Sequence, residues 1–506
     1  MKRQILNIVT FLRGAEPRYP SDLLKPLKKQ IKLLEKNNLP ATFLFQYDAL
    51  LRKDFIREIK KHDHYELGVW MEMNKPHVEA AGLSWTGRFS WDWHAHCAMT
   101  VGYTEEEREK LVDVIFEKFR FVFGYYPRIL GAWAFDAYTL KYAAEKYGMD
   151  AFCNCKDQWG TDGYNMWGGY YGQAYYPSVN NAFTPAGSEE TAIGVPVFRM
   201  LGSDPILQYD YKLDPKEGIK KQGVVTLEPA YTKDGGGGDE KWVDWYMKEN
   251  FSGKCLTFGY AQAGQENSFS WKKTKRGLKY QYPLFARLRA EGKIDVETIG
   301  ETGKWFKKTF SRTPPSTIVA EGDWQGNDKN SYWYDCKNYR IDLYAENGVF
   351  RIRDLYLFRD GYKERYLGSV CKTNDLIYDN LPVVDGVRFT GEGILAGAYF
   401  TDGDRVLTCK KIDYKEDGEN VVLTAKDTLI GDIVLTCTPT HIEIESAGVT
   451  VRPHFASVVK SIISASVCDK KVSLTYNDYT YSISANVPFG DDFSLTGGKI
   501  VIDLVR

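Results

Sequence analysis

The sequence predicts an α/β barrel followed by an all-β, sandwich-like region, and three observations carry that expectation. The first is an alternation of strand-like and helical segments that recurs from Ile5 to Ile299 with short joints. Such units imply parallel strands linked by right-handed crossovers. The second is the position of acids and tryptophans at the ends of the apolar runs, densest in Phe89-Ser-Trp-Asp-Trp-His-Ala-His96. The third is the break at Thr309-Phe-Ser-Arg-Thr-Pro-Pro-Ser316, beyond which the helical period gives way to alternation. The expected division is 1–312 for the barrel and 317–506 for an antiparallel β domain.

Taken in order, Ile5 to Leu12 is a β-branched apolar run suited to a buried parallel strand. It ends in the polar turn Arg13 to Arg18. Leu24, Leu27, Ile31 and Leu34 give a helix that Asn37-Asn-Leu-Pro40 stops. Ala41 to Phe45 is the second strand, Ala49 to Lys61 a helix, and Tyr65 to Met73 the third strand. An aromatic excursion over 74–102 follows before Thr104-Glu-Glu-Glu107 opens a helix as a capping box. Arg128 to Phe135 is the next strand, Ala137 to Tyr147 a helix, and Ala151 onward another strand. The stretch 165–250 is glycine-rich and aromatic, an elaborated rim rather than a linker, with strand-like pieces at Val195 to Leu201 and Gly223 to Leu227. Lys254 to Tyr260, Tyr282 to Ala290 and Ile294 to Ile299 complete the barrel as strand, helix and strand.

A chain of 506 residues exceeds what one core usually serves. Lys and Arg (66) nearly cancel Asp and Glu (67), which argues against a nucleic-acid or membrane-surface protein. The 34 tyrosines and 13 tryptophans offer rings for stacking on sugars, or a tyrosine-rich sheet packing on itself. Nine cysteines lack paired spacing, and Cys153-x-Cys155 is one residue short of a redox motif. No apolar run approaches the roughly 18 residues of a membrane span. Ile5 to Leu12 is too short for a signal segment, so the chain as written reads as cytoplasmic, an exported mature form being the alternative. Oligomeric state is not set by any of this.

Several pieces resemble polysaccharide deacetylases in their order. They are Leu34-Glu-Lys-Asn-Asn-Leu-Pro-Ala-Thr-Phe-Leu-Phe45, Tyr65-Glu-Leu-Gly68, Thr104-Glu-Glu-Glu107, Phe123-Gly-Tyr-Tyr-Pro-Arg128 and Ala144-Glu-Lys-Tyr-Gly-Met-Asp-Ala-Phe152. The similarity covers roughly residues 4–310. It implies a distorted (β/α)7 TIM-like barrel, shared with several glycoside hydrolase families. It also implies a divalent metal held by an Asp on the first strand and a His pair after the third. Leu12 and Arg13 stand in the first place and Trp70 in the second, so the expected metal set is none and no cofactor is called for. Asp92, His94 and His96 are the alternative: ligands of a rearranged site, or partners for sugar hydroxyls.

Without the metal, paired carboxylates are the natural chemistry, because glycoside hydrolysis needs one acid and one base or nucleophile. The candidates are Glu266, Glu72, Asp157 and Asp136, each near a strand's carboxyl end, where parallel barrels place their sites. Glu72 is flanked by Trp70, Met71 and Met73, surroundings that would raise its pKa. Glu266 sits in a small flexible run beside Gln265 and Trp271. Asp136 has a plain alternative as a helix cap, and Asp157 and Asp162 as organisers of a turn. Arg13, Glu16, Trp70, Trp93, Trp133, Gln158, Trp159 and Glu228 complete the expected substrate-binding set. There Glu16 has the alternative of pairing with Arg13 or Arg18, and Glu228 that of lining a loop before proline. The leading function is a glycoside hydrolase acting on an oligosaccharide or glycan, with no nucleic-acid or membrane partner. The alternatives are a metal-dependent carbohydrate deacetylase and a non-catalytic glycan-binding protein.

Overall fold

The computed structural model describes residues 2–505. Strand β1 (Gln4–Leu12) is buried almost throughout, as a parallel strand covered on both faces must be. The Asp22 carboxylate accepts from the Leu24 and Lys25 N–H groups and opens α1 (Leu24–Lys36). That helix buries Leu27, Ile31 and Leu34, and ends where Asn38 takes a φ of 50°. β2 (Thr42–Phe45) and β3 (Glu66–Trp70) follow. α2 (Glu105–Phe123) starts in the Thr104/Glu107 capping box and stops at left-handed Gly124. β4 (Ile129–Gly131), α3 (Ala137–Tyr147), β5 (Ala151–Cys155), β6 (Val197–Met200) and β7 (Gly259–Ala263) come next. α4 (Trp271–Ala290), β8 (Asp295–Glu297) and α5 (Ile299–Thr309) end this half.

The strands form a curled parallel sheet in the order β7-β1-β2-β3-β4-β5-β6, with β8 also parallel to β1. Its two ends approach each other. The rings of Phe198 on β6 and Tyr260 on β7 lie 5.1 Å apart, although no ladder hydrogen bonds join these strands among the described residues. Every carboxyl end therefore opens on one side, and the loops that follow share one rim.

Local differences from the sequence expectation have local causes. The helix expected over Ala49–Lys61 is two short ones, Tyr47–Leu50 and Lys53–Ile59, parted at Leu51-Arg52. The strand expected at Lys254–Tyr260 begins at Gly259, after Leu256 has turned with a φ of 56°. Gly223–Leu227 is not a strand; Thr226 makes a single bridge to Ser203. The last long helix starts at Trp271 rather than Tyr282.

The antiparallel region begins with Ser316–Glu321 and links 15 strands in one hydrogen-bonded network. Its helix is the four-residue Val459–Ile462. His441–His454 shifts register between Glu445 and Val449, pairing with Gly431–Cys437 before the shift and Gly397–Asp402 after it. The network turns a corner there, as irregular strands allow. The two regions interlock. Leu376–Tyr378 adds in parallel to Tyr164–Met166, and Glu364 accepts from the Ala137 and Ala182 N–H groups at 3.1 and 2.9 Å. Arg340 reaches Asp354 at 2.8 Å and also Asp157 across the junction. Thr313, Ser316 and Thr317 at the joint are buried.

Candidate active site

A cleft of about 590 Å³, counting the solvent at its open mouth, lies at the carboxyl ends of the parallel strands. Trp91, Trp93, Trp133, Tyr164, Tyr231 and Phe269 supply its aromatic walls. Its charged lining is Arg13, Arg18, Glu72, Asp162, Glu228 and Glu266.

Arg13 is the centre of this arrangement. It follows β1 directly and is buried, its guanidinium 4.0 Å from the Trp91 ring. Nε and Nη2 donate to the two oxygens of Glu72 at 3.0 and 3.1 Å, a bidentate pairing. Nη1 meets Glu266 Oε2 at 2.6 Å and Ser268 Oγ at 3.2 Å. Burial works against the charge on Arg13, but Glu266 and Glu72 outweigh it and hold the guanidinium above its ordinary range.

Glu72 leaves the end of β3 and faces the cleft, yet donors surround its carboxylate. Oε2 accepts from Trp70 Nε1 at 3.1 Å and Gln46 Nε2 at 3.2 Å, in addition to Arg13. The carboxylate that its apolar flanks singled out in the sequence thus meets converging N–H groups. It is held against Arg13 through both oxygens. Trp70, expected at the rim, is buried beneath it, stacked on Phe11 at 4.1 Å.

Glu266 is placed by Gly264, whose φ is 127° and whose absent Cβ would fall 1.8 Å from the Val9 carbonyl. Only glycine lets the chain pass so close to β1. Burial pushes the Glu266 carboxyl upward, and Arg13 and the donating Ser268 hydroxyl pull it back without cancelling that push. Glu228 arrives from the loop after β6. Its carboxylate accepts from Gln265 Nε2 at 3.3 Å and Thr226 Oγ1 at 3.4 Å, with no cation in contact among the described residues. Burial first, and the charge of Glu266 second, push its pKa up to about 8.

The other expected residues divide between the cleft and the framework. Trp93, Trp133, Gln158 and Asp162 line the cleft. Gln265 supports Glu228 from behind. Glu16 is held by Arg18 at 2.7 Å, and it is Arg18 that reaches the cleft. Asp157 is absent from the cleft lining and lies in a buried network with Arg199 at 3.1 Å, Arg340 and the Gly168 N–H at 2.9 Å. Asp136 is absent from the lining as well. It caps α3 through the Thr139 N–H at 2.8 Å and pairs with buried Arg108 at 3.1 Å. Trp159 and Trp271 pack outside the cleft, Trp159 against Trp167 and Trp271 against the barrel core. Arg18, Trp91, Tyr164, Tyr231 and Phe269 are lining residues that the sequence reading did not select. Only the neighbouring Glu16 and the aromatic cluster hinted at the first two.

Asp92 is taken up by Arg88, which donates at 2.8 and 2.9 Å to its two oxygens and holds its pKa well below the usual range against the effect of burial. His94 sits 3.6 Å from the same carboxylate, and the His94 and His96 ring centroids are 5.9 Å apart. None of the three lines the cleft. Among the described residues no group of three or more His, Cys, Asp or Glu side chains is arranged to hold a metal ion. The positions that the resemblance to polysaccharide deacetylases implies do not fit one: Leu12 and Trp70 carry no ligand atom, and Arg13 brings its own cation between Glu72 and Glu266.

No family model and no curated protein matches the chain. A solved structure assigned as a glycoside hydrolase/deacetylase from Parabacteroides distasonis superposes with a TM-score of 0.56 at 16% identity, covering 75% of this chain and 91% of that one. Structures assigned as polysaccharide deacetylases from Mycobacterium smegmatis and Pseudomonas aeruginosa give TM-scores of 0.37 and 0.36 at 17% and 11% identity. They cover 62% and 61% of this chain and 93% and 92% of their own. The chain thus shares the fold of the Parabacteroides distasonis structure.

Proposed function

We propose that this protein is a hydrolase of carbohydrate substrates, and more narrowly a glycoside hydrolase built on a distorted (β/α)7-type scaffold. The observation that carries the reading is that Glu228 and Glu266 are both buried in the lining of one aromatic-walled cleft, where the charge of Glu266 acts on Glu228. Two neighbouring buried carboxyls cannot both ionise cheaply, so the proton settles on one of them. Glu228 has no cation beside it and takes the proton, which suits a general acid for the leaving oxygen. Glu266, held by Arg13 and Ser268, keeps the charge and serves as base or nucleophile. Arg13 and Glu72 are positioning residues behind it. Gln158 Oε1 is buried without a protein partner, an acceptor suited to a sugar hydroxyl. Trp93 and Trp133 offer ring faces for the pyranose.

The pH–rate profile tests this assignment. A general acid must be protonated, so kcat/KM on a cleaved glycoside falls as the pH rises through about 8, the value to which Glu228 is raised. In Glu228→Gln that alkaline limb disappears along with most of the rate. A profile flat from neutrality to well past that value counts against Glu228 as the acid.

A further inference from the structure

The cleft accounts for one end of the barrel, but a strongly charged surface runs away from it unassigned. α1 exposes Lys25, Lys28, Lys29, Lys32 and Lys36. α4 exposes Lys272, Lys273, Lys275, Arg276 and Lys279. The two helices follow β1 and β7, neighbours in the sheet, and pack side by side. Asn267 Nδ2 reaches the Leu23 carbonyl at 3.1 Å at one end, and Arg289 Nη2 the Asn38 carbonyl at 2.7 Å at the other. Lys28 and Arg276 have distant acid partners, Glu58 at 3.8 Å and Glu240 at 3.7 Å. The remaining lysines of the set make no ion pair among the described residues. In a chain of net charge −1 this is a marked segregation of positive charge.

The track begins at the cleft. Lys273 Nζ lies 5.6 Å from the Phe269 ring centroid, and Phe269 lines the cavity. The same ammonium is 5.7 Å from the ring of Tyr19, next to Arg18. From that rim α1 extends for about 20 Å and α4 for about 30 Å along the outside of the sheet. None of the exposed large apolar residues of the described chain lies on either helix, so the face lacks the apolar anchors of a membrane-surface helix.

We propose that α1 and α4 form a remote subsite for an anionic glycan, one bearing carboxylate or sulfate groups, whose chain leaves the cleft past Phe269. This rests on the cleft being a carbohydrate site. A row of unpaired ammonium groups favours a polyanion through long-range attraction that salt screens. Its continuity with an aromatic cleft selects a glycan among polyanions.

Calorimetric titration of the full chain with polygalacturonate, heparin fragments, dextran and a DNA duplex tests the proposal, at low salt and at about 0.5 M NaCl. The acidic glycans bind, dextran does not gain from the track, and salt weakens binding. Two sets of substitutions, Lys25→Gln/Lys29→Gln/Lys32→Gln and Lys272→Gln/Lys275→Gln, each weaken it by about tenfold. The set Lys25→Arg/Lys29→Arg/Lys32→Arg, which keeps the charge, binds as the unaltered chain does. Acidic glycans that fail to bind, or bind the Gln sets undiminished, overturn the subsite. So does a DNA duplex that binds as tightly as they do, since the face would then be a general polyanion surface. Binding is read without turnover, so an absence of glycosidase activity would strike the reading of the cleft and not this one.

Discussion

Glu228→Gln and Glu266→Gln each lower turnover by about a hundredfold or more while sugar binding persists, the scale expected when an acid–base group is removed. Both changes keep shape and most hydrogen bonding, so a loss of rate without a loss of binding isolates the proton and the charge. Glu228→Gln has a second, opposite signature. The folded pKa of Glu228, about 8, lies above its ordinary 4.5, so between those values the folded chain holds a proton that the unfolded chain has released. Stability contributed by this group is present below about pH 4.5 and falls as the pH rises toward 8. The glutamine variant lacks that decline and is the more stable chain at neutral pH, which denaturant titrations at several pH values will show. A variant both slower and steadier is what a functional group held under electrostatic strain predicts. Equal rates in both variants and the parent would remove the pair from the mechanism.

Arg13→Met is the second large effect, and it falls on stability. The guanidinium pairs with two buried carboxylates, and its removal leaves both without their cation. Breaking a buried pair in this way costs about 3–5 kcal/mol, read as a drop in the midpoint of urea unfolding. Adding Glu72→Gln to Arg13→Met removes one stranded charge and restores part of the loss. Glu72→Gln alone lowers turnover less than Glu266→Gln does, because it acts through Arg13. If Arg13→Met leaves the midpoint where it was, the guanidinium does not hold the two carboxylates in the folded chain.

The parallel strands were legible because burial on both faces demands apolar β-branched runs, as in Ile5 to Leu12. The place of Glu266 in the cleft lining was legible for a related reason: it ends a buried strand in a run of small residues. Glu228 was visible as an acid but not as a carboxyl whose pKa is raised. Its raised pKa comes from burial and then from the charge of Glu266, and no local pattern encodes that meeting. Asp136 and Asp157 had the same strand-end signal as Glu266. What separates them is the company they keep, Arg108 for one and Arg199 with Arg340 for the other, contributed by distant parts of the chain. The interlocking of the two regions was equally hidden, since Glu364 and Arg340 look like ordinary strand and turn residues until their partners are seen.

The central claim is that two carboxylates, and no metal at the family's positions, cleave a glycosidic bond in this cleft. Product analysis on acetylated and unacetylated oligosaccharides, with and without a chelator, tests it most directly. The account predicts new reducing ends, formed at the same rate in the presence of chelator and lost in Glu228→Gln and Glu266→Gln. Release of acetate that stops with chelator and returns with a divalent ion, while reducing ends stay constant, would contradict it.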